Sequence, residues 1–328
     1  VGPQGVLQWI ADGIKLILKE DLIPEGADRI LFKIAPFFCV MGVFGTMVVV
    51  PWGKGLIPAD LNVGVFYLLS ITSLVVIGVL MSGWASNNKW SLIGGMRSAA
   101  QIVSYEIPVS LGLLSPILFA GTLSIGGIMD VQGWLPWDWM IFQNPFMAIS
   151  FCVFFIGSLA EANRTPFDLP EAESELVSGY CTEYSGFRYA IFFLSEWANL
   201  FVLGSVVTAI FLGGGNLPEF LDGSKILSLL VFEAKTFFIV FVLMWLRWTL
   251  PRFRIDQMMK LSWKYLLPGA LVSFFGQAIF MLITWDYPLI VKTVSVLMFL
   301  CFLVILVKFT KRVVVNAKEQ SIPINVRA

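Results

Sequence analysis

The sequence contains no histidine and has four cysteines, Cys39, Cys152, Cys181 and Cys301. Without histidine, ligation of a haem by two imidazoles and the usual histidine-rich zinc and copper sites are excluded. No two cysteines stand at CxxC spacing, and three lie in apolar runs, where cysteine behaves as a small hydrophobic residue. We therefore expect no iron–sulfur cluster, and no other metal or cofactor, to be bound by this chain alone.

Charge is also scarce in this sequence. Charged residues make up 13%, against 58% hydrophobic residues and a mean hydropathy of +0.83. This composition lies outside the range of soluble domains and predicts an all-α polytopic membrane protein. The 22 basic and 22 acidic residues balance, so the net charge does not indicate nucleic-acid binding, and we expect none. Because no repeat or linker divides the chain, we expect a single integral membrane domain over 1–328.

The first 29 residues carry too much charge to cross a bilayer. Apolar residues of the segment GVLQWIADGIKLILKED recur near the helical period, and Asp12, Lys15 and Lys19 lie between them. This pattern predicts an amphipathic helix within 1–29 that lies on the membrane surface or on a partner.

Eight apolar stretches follow, each close to the roughly 20 residues that a helix needs to cross a bilayer. They predict about eight transmembrane helices, near 30–50, 61–82, 96–120, 146–160, 187–212, 226–245, 265–285 and 287–309. The last two are separated by so few residues that we expect a tight helical hairpin at Trp285–Asp286–Tyr287.

The basic residues indicate how these spans are oriented. If the spans alternate from the amphipathic helix onward, 18 lysines and arginines fall on its side of the membrane and three on the other. Because basic residues concentrate on the inner side, we expect the loop 161–187 and the tail 310–328 to lie at the inner face.

The stretch from Glu161 to Arg188 is the most acidic part of the chain, with six acids in 28 positions against two arginines. The acids are Glu161, Asp168, Glu171, Glu173, Glu175 and Glu183. Capping of a short local helix explains two or three of them. The remainder favours a use for negative charge beside the bilayer, and we expect that use to be proton-coupled chemistry.

Four carboxylates lie in or at the ends of predicted spans: Glu106, Glu161, Glu196 and Glu233. Each costs about 2.5–3.5 kcal/mol on membrane-insertion scales, which a purely structural protein has little reason to carry. Buried carboxyl groups can take up and release protons near neutral pH, so a proton path is expected. The alternative is that single residues reach the interface or pair with Arg97, Arg188 or Lys235.

Four motifs carry a resemblance to a known family. They are GVLQWIADGIKLILKED, SNNKWSLIGGMRSAAQIVSYE, EANRTPFDLPEAESELVSGYCTEYSGFRYAIFFL and PRFRIDQ. Together they resemble the membrane component called the H subunit, or subunit 1, of proton-pumping NADH:quinone oxidoreductase, respiratory complex I. The resemblance runs from near the first residue to about residue 267. Members of this family begin with one more span before VGP, so we expect that first helix to be missing from this sequence.

The resemblance implies a non-redox subunit that docks the peripheral arm, helps to form the quinone tunnel and starts a proton path. Quinone would be a substrate at the interface with peripheral subunits. The implied partners are those quinone-site subunits, the adjacent membrane subunits and the lipid bilayer. The implied location is a bacterial inner membrane or the inner membrane of an organelle.

The resemblance also assigns roles to residues. The proton path would be Glu106, Glu161, Asp168, Glu171, Glu173, Glu175, Glu183, Glu196 and Glu233. The charges near the quinone tunnel or the docking surface would be Asp12, Lys15, Lys19, Arg188, Arg252 and Arg254.

Two alternatives remain at this point. A homologous subunit of a membrane-bound hydrogenase or of a ferredoxin-driven complex would share the architecture. A secondary transporter for a small solute is a different class, which often shows paired repeats and helices broken in both halves. The sequence shows one acid-bearing span interrupted by Pro108 and no matching half.

Overall fold

The computed structural model describes residues 2–170, 173–221, 223–284 and 288–320. Throughout these residues the chain forms helices and connecting segments, without a β-strand. The helices are α1 (Gln8–Leu18), α2 (Arg29–Thr46), α3 (Gly64–Ala85), α4 (Lys89–Ala120), α5 (Ile125–Asp130), α6 (Met140–Gln143), α7 (Pro145–Glu161), α8 (Glu173–Leu176), α9 (Gly186–Phe211), α10 (Lys225–Thr249), α11 (Ile255–Lys260), α12 (Leu267–Thr284) and α13 (Pro288–Gln320).

The predicted polytopic fold is confirmed. Seven helical segments in the described part of the chain are long and apolar enough to cross a membrane. They are α2, α3, α4, α9, α10, the continuous segment Ile255–Thr284, and Leu289–Lys308 within α13. An eighth apolar helix, α7, is shorter and ends at Glu161. Each predicted stretch thus corresponds to one helix.

Three helix boundaries differ from the prediction by seven residues or more. The third span begins at Lys89, because the Asn88 side chain caps α4 by accepting a hydrogen bond from the backbone N–H of Trp90. The seventh begins at Ile255 and passes through a π-helical turn, Leu261–Leu266, before α12. The eighth continues to Gln320, so the first part of the predicted tail is helical. The predicted hairpin turn and residues 321–328 lie outside the described residues.

The spans pack closely where small residues face each other. A Cβ atom on Gly78 of α3 would lie 2.5 Å from Sγ of Cys39 and 2.9 Å from its backbone nitrogen on α2. Only glycine permits this separation, and such close approach is typical of helix pairs in membranes.

Contacts between helix ends define one face of the bundle. The Asp28 N–H donates to the Ala85 carbonyl, which joins the start of α2 to the end of α3. The Gln101 amide of α4 donates to the Ala160 carbonyl at the end of α7. We call this end of the bundle, where α3 and α7 end and α4 and α9 begin, the acidic-loop end.

The predicted amphipathic helix is present as α1 and belongs to the acidic-loop end. It packs beside the start of α9, where the Gly186 backbone lies against the Lys19 carbonyl. Its apolar residues are largely exposed within this chain, with Trp9 at 73% and Ile17 at 64% of their full exposure. An exposed apolar stripe on a charged helix fits the predicted position at a membrane surface or on a partner.

The opposite end of the bundle is closed by a polar network around Gln132. Its amide group donates to the carbonyls of Ala209 and Ile210 at the end of α9 and accepts from the N–H groups of Met140 and Gly213. These bonds satisfy backbone groups that the end of α9 leaves unpaired. The connection between α4 and α7 is therefore fixed onto the bundle.

Candidate functional site

Glu161 occupies the centre of the candidate site. It is the last residue of α7, and its side chain lines two separate cavities on either side of it. Within the described residues its carboxyl group makes neither a hydrogen bond nor an ion pair. A carboxyl group in the membrane domain without a protein partner needs water or a proton, because an unpaired buried charge is costly.

The first cavity connects Glu161 to Glu106 of α4, and we call it the Glu106 cavity. Its polar lining also includes Thr72, Ser73 and Asn199. Its volume is about 20 Å³, enough for about one water molecule. The structure therefore brings Glu106 and Glu161, which are 55 positions apart in the sequence, to one shared space.

The second cavity connects Glu161 to Glu196 of α9, and we call it the Glu196 cavity. Its polar lining also includes Tyr180, Ser195 and Asn199. Its volume is again about 20 Å³, enough for about one water molecule. Three of the four predicted span carboxylates thus form a row in the order Glu196, Glu161, Glu106.

In the part of the chain that the structure describes, Glu196 has two partners, both from the acidic loop. The Tyr180 hydroxyl donates a hydrogen bond of 2.9 Å to one carboxylate oxygen, and the Arg164 guanidinium lies 3.5 Å from the other. Arg164 is buried and also lies over the ring of Trp197, 5.0 Å from its centroid. A phenol and a guanidinium thus link Glu196 to the acidic loop.

Tyr180 is held in place by the backbone of the loop. Gly179 adopts a φ of 57° and lies directly on Gly94 of α4, where an added Cβ would come within 2.7 Å of its Cα. Tyr184, four residues after Tyr180, stacks on Phe32 of α2 with the ring centroids 4.0 Å apart, and its hydroxyl donates to the Phe32 carbonyl. Burial raises the pKa of Tyr184, so the phenol stays protonated and keeps donating.

The turn that follows Glu161 is fixed by Gln101. This fully buried side chain donates to the carbonyls of Ala160 and Phe167, at 2.8 and 2.9 Å, and contacts the Asn163 amide. Asn163 has a φ of 49°, which asparagine tolerates better than most residues. Gln101 thereby sets the position at which α7 ends and Glu161 meets the two cavities.

The acids of the loop find their partners outside the loop. Asp168 pairs with Arg252 at 3.0 Å, Glu175 pairs with Arg97 at 2.6 Å, and Glu183 accepts a hydrogen bond from Asn88. Arg97 lies on α4 and Arg252 follows α10, so the arginines that pair with these acids lie outside the stretch from Glu161 to Arg188. Glu173 begins α8, and Glu171 lies outside the described residues.

Glu233 does not join the row of carboxylates. It lies half-buried on α10, three residues before Thr236, whose hydroxyl faces Thr208 near the end of α9. This level is toward the opposite end of the bundle from Glu196, and Glu233 lines neither cavity. Among the described residues, nearby Lys235 pairs with no carboxylate and instead donates to the carbonyls of Leu212 and Gly214 beyond α9, at 2.8 Å each.

The charges predicted for the quinone tunnel or docking surface all belong to the acidic-loop end. Arg188 pairs with Asp21 at 3.2 Å and lies over the Phe32 ring. Asp12 of α1 accepts from Gln8, while Lys15 and Lys19 are exposed. Two further arginines follow α10, namely Arg252, which pairs with Asp168, and Arg254, which precedes α11.

The sequence assigned no role to four residues that shape this site: Gln101, Arg164, Tyr180 and Asn199. Helical spacing places Asn199 one turn after Ser195 and beside Glu196, but does not show that it lines a cavity. Gln101 and Tyr180 carry no such signal, since their partners come from distant parts of the chain.

Comparison with known proteins gives consistent matches. A family model described as NADH dehydrogenase matches residues 1–278. The H subunit of the NADH-quinone oxidoreductase of Anaeromyxobacter dehalogenans is 49% identical over 322 residues, covering 93% of this chain and 78% of that protein. The H subunit from Chlorobium luteolum is 49% identical over 294 residues, covering 86% and 79%. NADH-quinone oxidoreductase subunit 8 of Rhodothermus marinus is 45% identical over 287 residues, covering 83% of each.

Proposed function

The chain belongs to the NADH dehydrogenase family and is a membrane subunit of an NADH:quinone oxidoreductase, and on that premise we propose that its buried carboxylates couple quinone reduction to proton translocation. Glu196, Glu161 and Glu106 form the part of the proton path within the membrane. The acidic-loop end helps to form the quinone tunnel and docks the peripheral arm. The chain has no redox centre of its own, and quinone is a substrate at the interface with peripheral subunits.

The observation that carries this proposal is the position of Glu161 between two cavities. A carboxyl group can accept a proton from one side and release it to the other when each side offers a hydrogen-bonded route. Each cavity has room for about one water molecule, which can bridge neighbouring carboxyl groups. The row Glu196, Glu161, Glu106 supplies such a route from the acidic loop into the bundle.

The acidic loop gives this row a connection to the quinone reaction. Reduction of a quinone changes local charge before protons arrive, and closely spaced ionisable groups respond together because their charges interact. Tyr180 and Arg164 both contact Glu196 from the loop, so a charge change at the acidic-loop end reaches the first carboxylate of the row. Glu233 lies apart and would act at a later step toward a neighbouring subunit.

Family membership decides between the alternatives left by the sequence. A secondary transporter is set aside, because the family match covers most of the chain. The relatives described above are named as subunits of NADH-quinone oxidoreductase, which favours this complex over a hydrogenase or a ferredoxin-driven one.

The chain is a multi-pass membrane protein, and other subunits of the oxidoreductase are its partners. Its finer setting is part of the proposal. The named relatives are bacterial, which supports a bacterial inner membrane. The exposed charges of α1 and the arginines after α10 supply a polar surface for the quinone-site subunits of the peripheral arm.

Neutralising single carboxylates in the assembled complex tests the coupling. We expect Glu196→Gln and Glu106→Gln to lower NADH-driven quinone reduction and proton pumping together. Glu219→Gln, in the connection between α9 and α10, is the matched control and should change neither. Native gels establish that each complex has assembled. Full reduction and full pumping in both span variants would show that these carboxylates are structural.

A further inference from the structure

The Glu106 cavity and the Glu196 cavity meet at residues that line both of them. Three residues line both the Glu106 cavity and the Glu196 cavity: Val75, Glu161 and Asn199. Of the two besides Glu161, Val75 is apolar, so Asn199 is the neutral polar group that faces both spaces. Its place in the fold follows from α9, where it lies three residues after Glu196 and four after Ser195, on one helical face.

We propose that the Asn199 amide joins the two cavities into one hydrogen-bonded route past Glu161. This inference rests on the proposed proton path and adds a positioning residue to it. Asn199 holds water between the carboxyl groups. It does not itself carry the proton, because an amide does not ionise near neutral pH.

The chemistry of the side chain suits this role. An amide offers two N–H donors and a carbonyl acceptor, so it can orient a water molecule on either side. The Asn199 side chain makes no hydrogen bond to any residue in the described part of the protein. Asn199 is only partly buried and lines both cavities, so water in them can satisfy its amide.

The alternative is that Asn199 has only a packing role between α3, α7 and α9. The two roles predict opposite rankings of the alanine and leucine variants. Leucine has the branched outline of asparagine, with a larger volume and no hydrogen-bonding group, whereas alanine leaves room for another water molecule. A packing role makes Asn199→Ala the more harmful change, because it creates a cavity. The bridging role makes Asn199→Leu the more harmful one.

The experiment compares these variants in the whole assembled oxidoreductase, with proton pumping per electron and quinone reduction measured in sealed membranes. We expect Asn199→Leu to lose at least about tenfold in coupled turnover, equivalent to about 1.4 kcal/mol, while Asn199→Ala stays within about twofold of the unchanged complex. Asn199→Val is also apolar but closer to asparagine in volume, so it should resemble leucine if the lost hydrogen bonds matter and not if only the added bulk of leucine matters. It also serves if the leucine variant fails to assemble. Alanine equal to or worse than the apolar variants would overturn the inference.

Glu161→Gln, measured in parallel, separates this inference from the proposed function. Loss of turnover in Glu161→Gln with normal turnover in Asn199→Leu keeps the carboxylate path and refutes the bridging role. Normal turnover in Glu161→Gln refutes the path, and the bridging role with it. Loss in both, with Asn199→Ala active, supports both.

Discussion

A single methyl group on Gly94 should disconnect the acidic loop from Glu196. In Gly94→Ala the new Cβ would lie 2.7 Å from Cα of Gly179 and 2.8 Å from the nitrogen of Tyr180, both backbone atoms that cannot rotate away. Restoring an ordinary contact of 3.4 Å moves the loop by about 0.7 Å. If this shift carries the Tyr180 hydroxyl away from Glu196, their 2.9 Å hydrogen bond would stretch to as much as about 3.6 Å, where it no longer exists.

The size of the effect follows from these two changes. Overpacking costs about 1–3 kcal/mol, which should lower the stability of the subunit and the yield of assembled complex. A hydrogen bond to a charged group contributes about 2 kcal/mol, so its loss slows coupled turnover by up to about thirtyfold. Tyr180→Phe removes the same bond without added bulk, so it should reproduce the slower turnover with normal assembly.

Gly112→Ala is the matched control. It places the same methyl group on the same helix, but the nearest atom there is 3.6 Å away, an ordinary contact. Both variants gain the same helix propensity of alanine over glycine, so their difference isolates the contact with the loop. Assembly is measured on native gels and turnover as NADH-driven quinone reduction. Equal behaviour of the two alanine variants would show that the loop does not depend on this contact.

Two further predictions concern the topology and the cofactors. A single cysteine introduced at Ser178, and another at Asn325 in the tail, should be labelled only from the inner side of sealed cells, because 18 basic residues against three place both there; labelling from outside contradicts the orientation. The purified subunit should contain no haem, iron or tightly bound flavin, because histidine is absent and the cysteines are scattered; near-stoichiometric iron held by this chain would refute this.

The spans could be predicted because a bilayer demands about 20 apolar residues in each. The ends of the helices depend on particular polar residues, whose capping and pairing a hydropathy average does not detect. α4 begins seven positions before the predicted boundary because Asn88 caps it, and Arg97 is accommodated within it by pairing with Glu175. α13 runs on to Gln320 because nothing in its sequence stops a helix where the apolar stretch ends.

The candidate site was predictable in its acids and not in their arrangement. The sequence does not distinguish between Glu106, Glu161, Glu196 and Glu233, because each is a charge in an apolar segment. The packing of α4, α7 and α9 in the folded chain decides that the first three meet and that Glu233 lies at another level. Such contacts between distant parts of the chain leave no local pattern.

The most direct test of the central claim is the protonation of Glu161 during turnover. Infrared difference spectra of the intact complex, recorded between the oxidised and the quinol-reduced states, detect carboxyl groups that gain or lose a proton. The proton path predicts a carboxyl C=O signal that disappears in Glu161→Gln and persists in Glu219→Gln. An unchanged carboxyl signal in Glu161→Gln would contradict the account, because the residue between the two cavities would then not change its protonation.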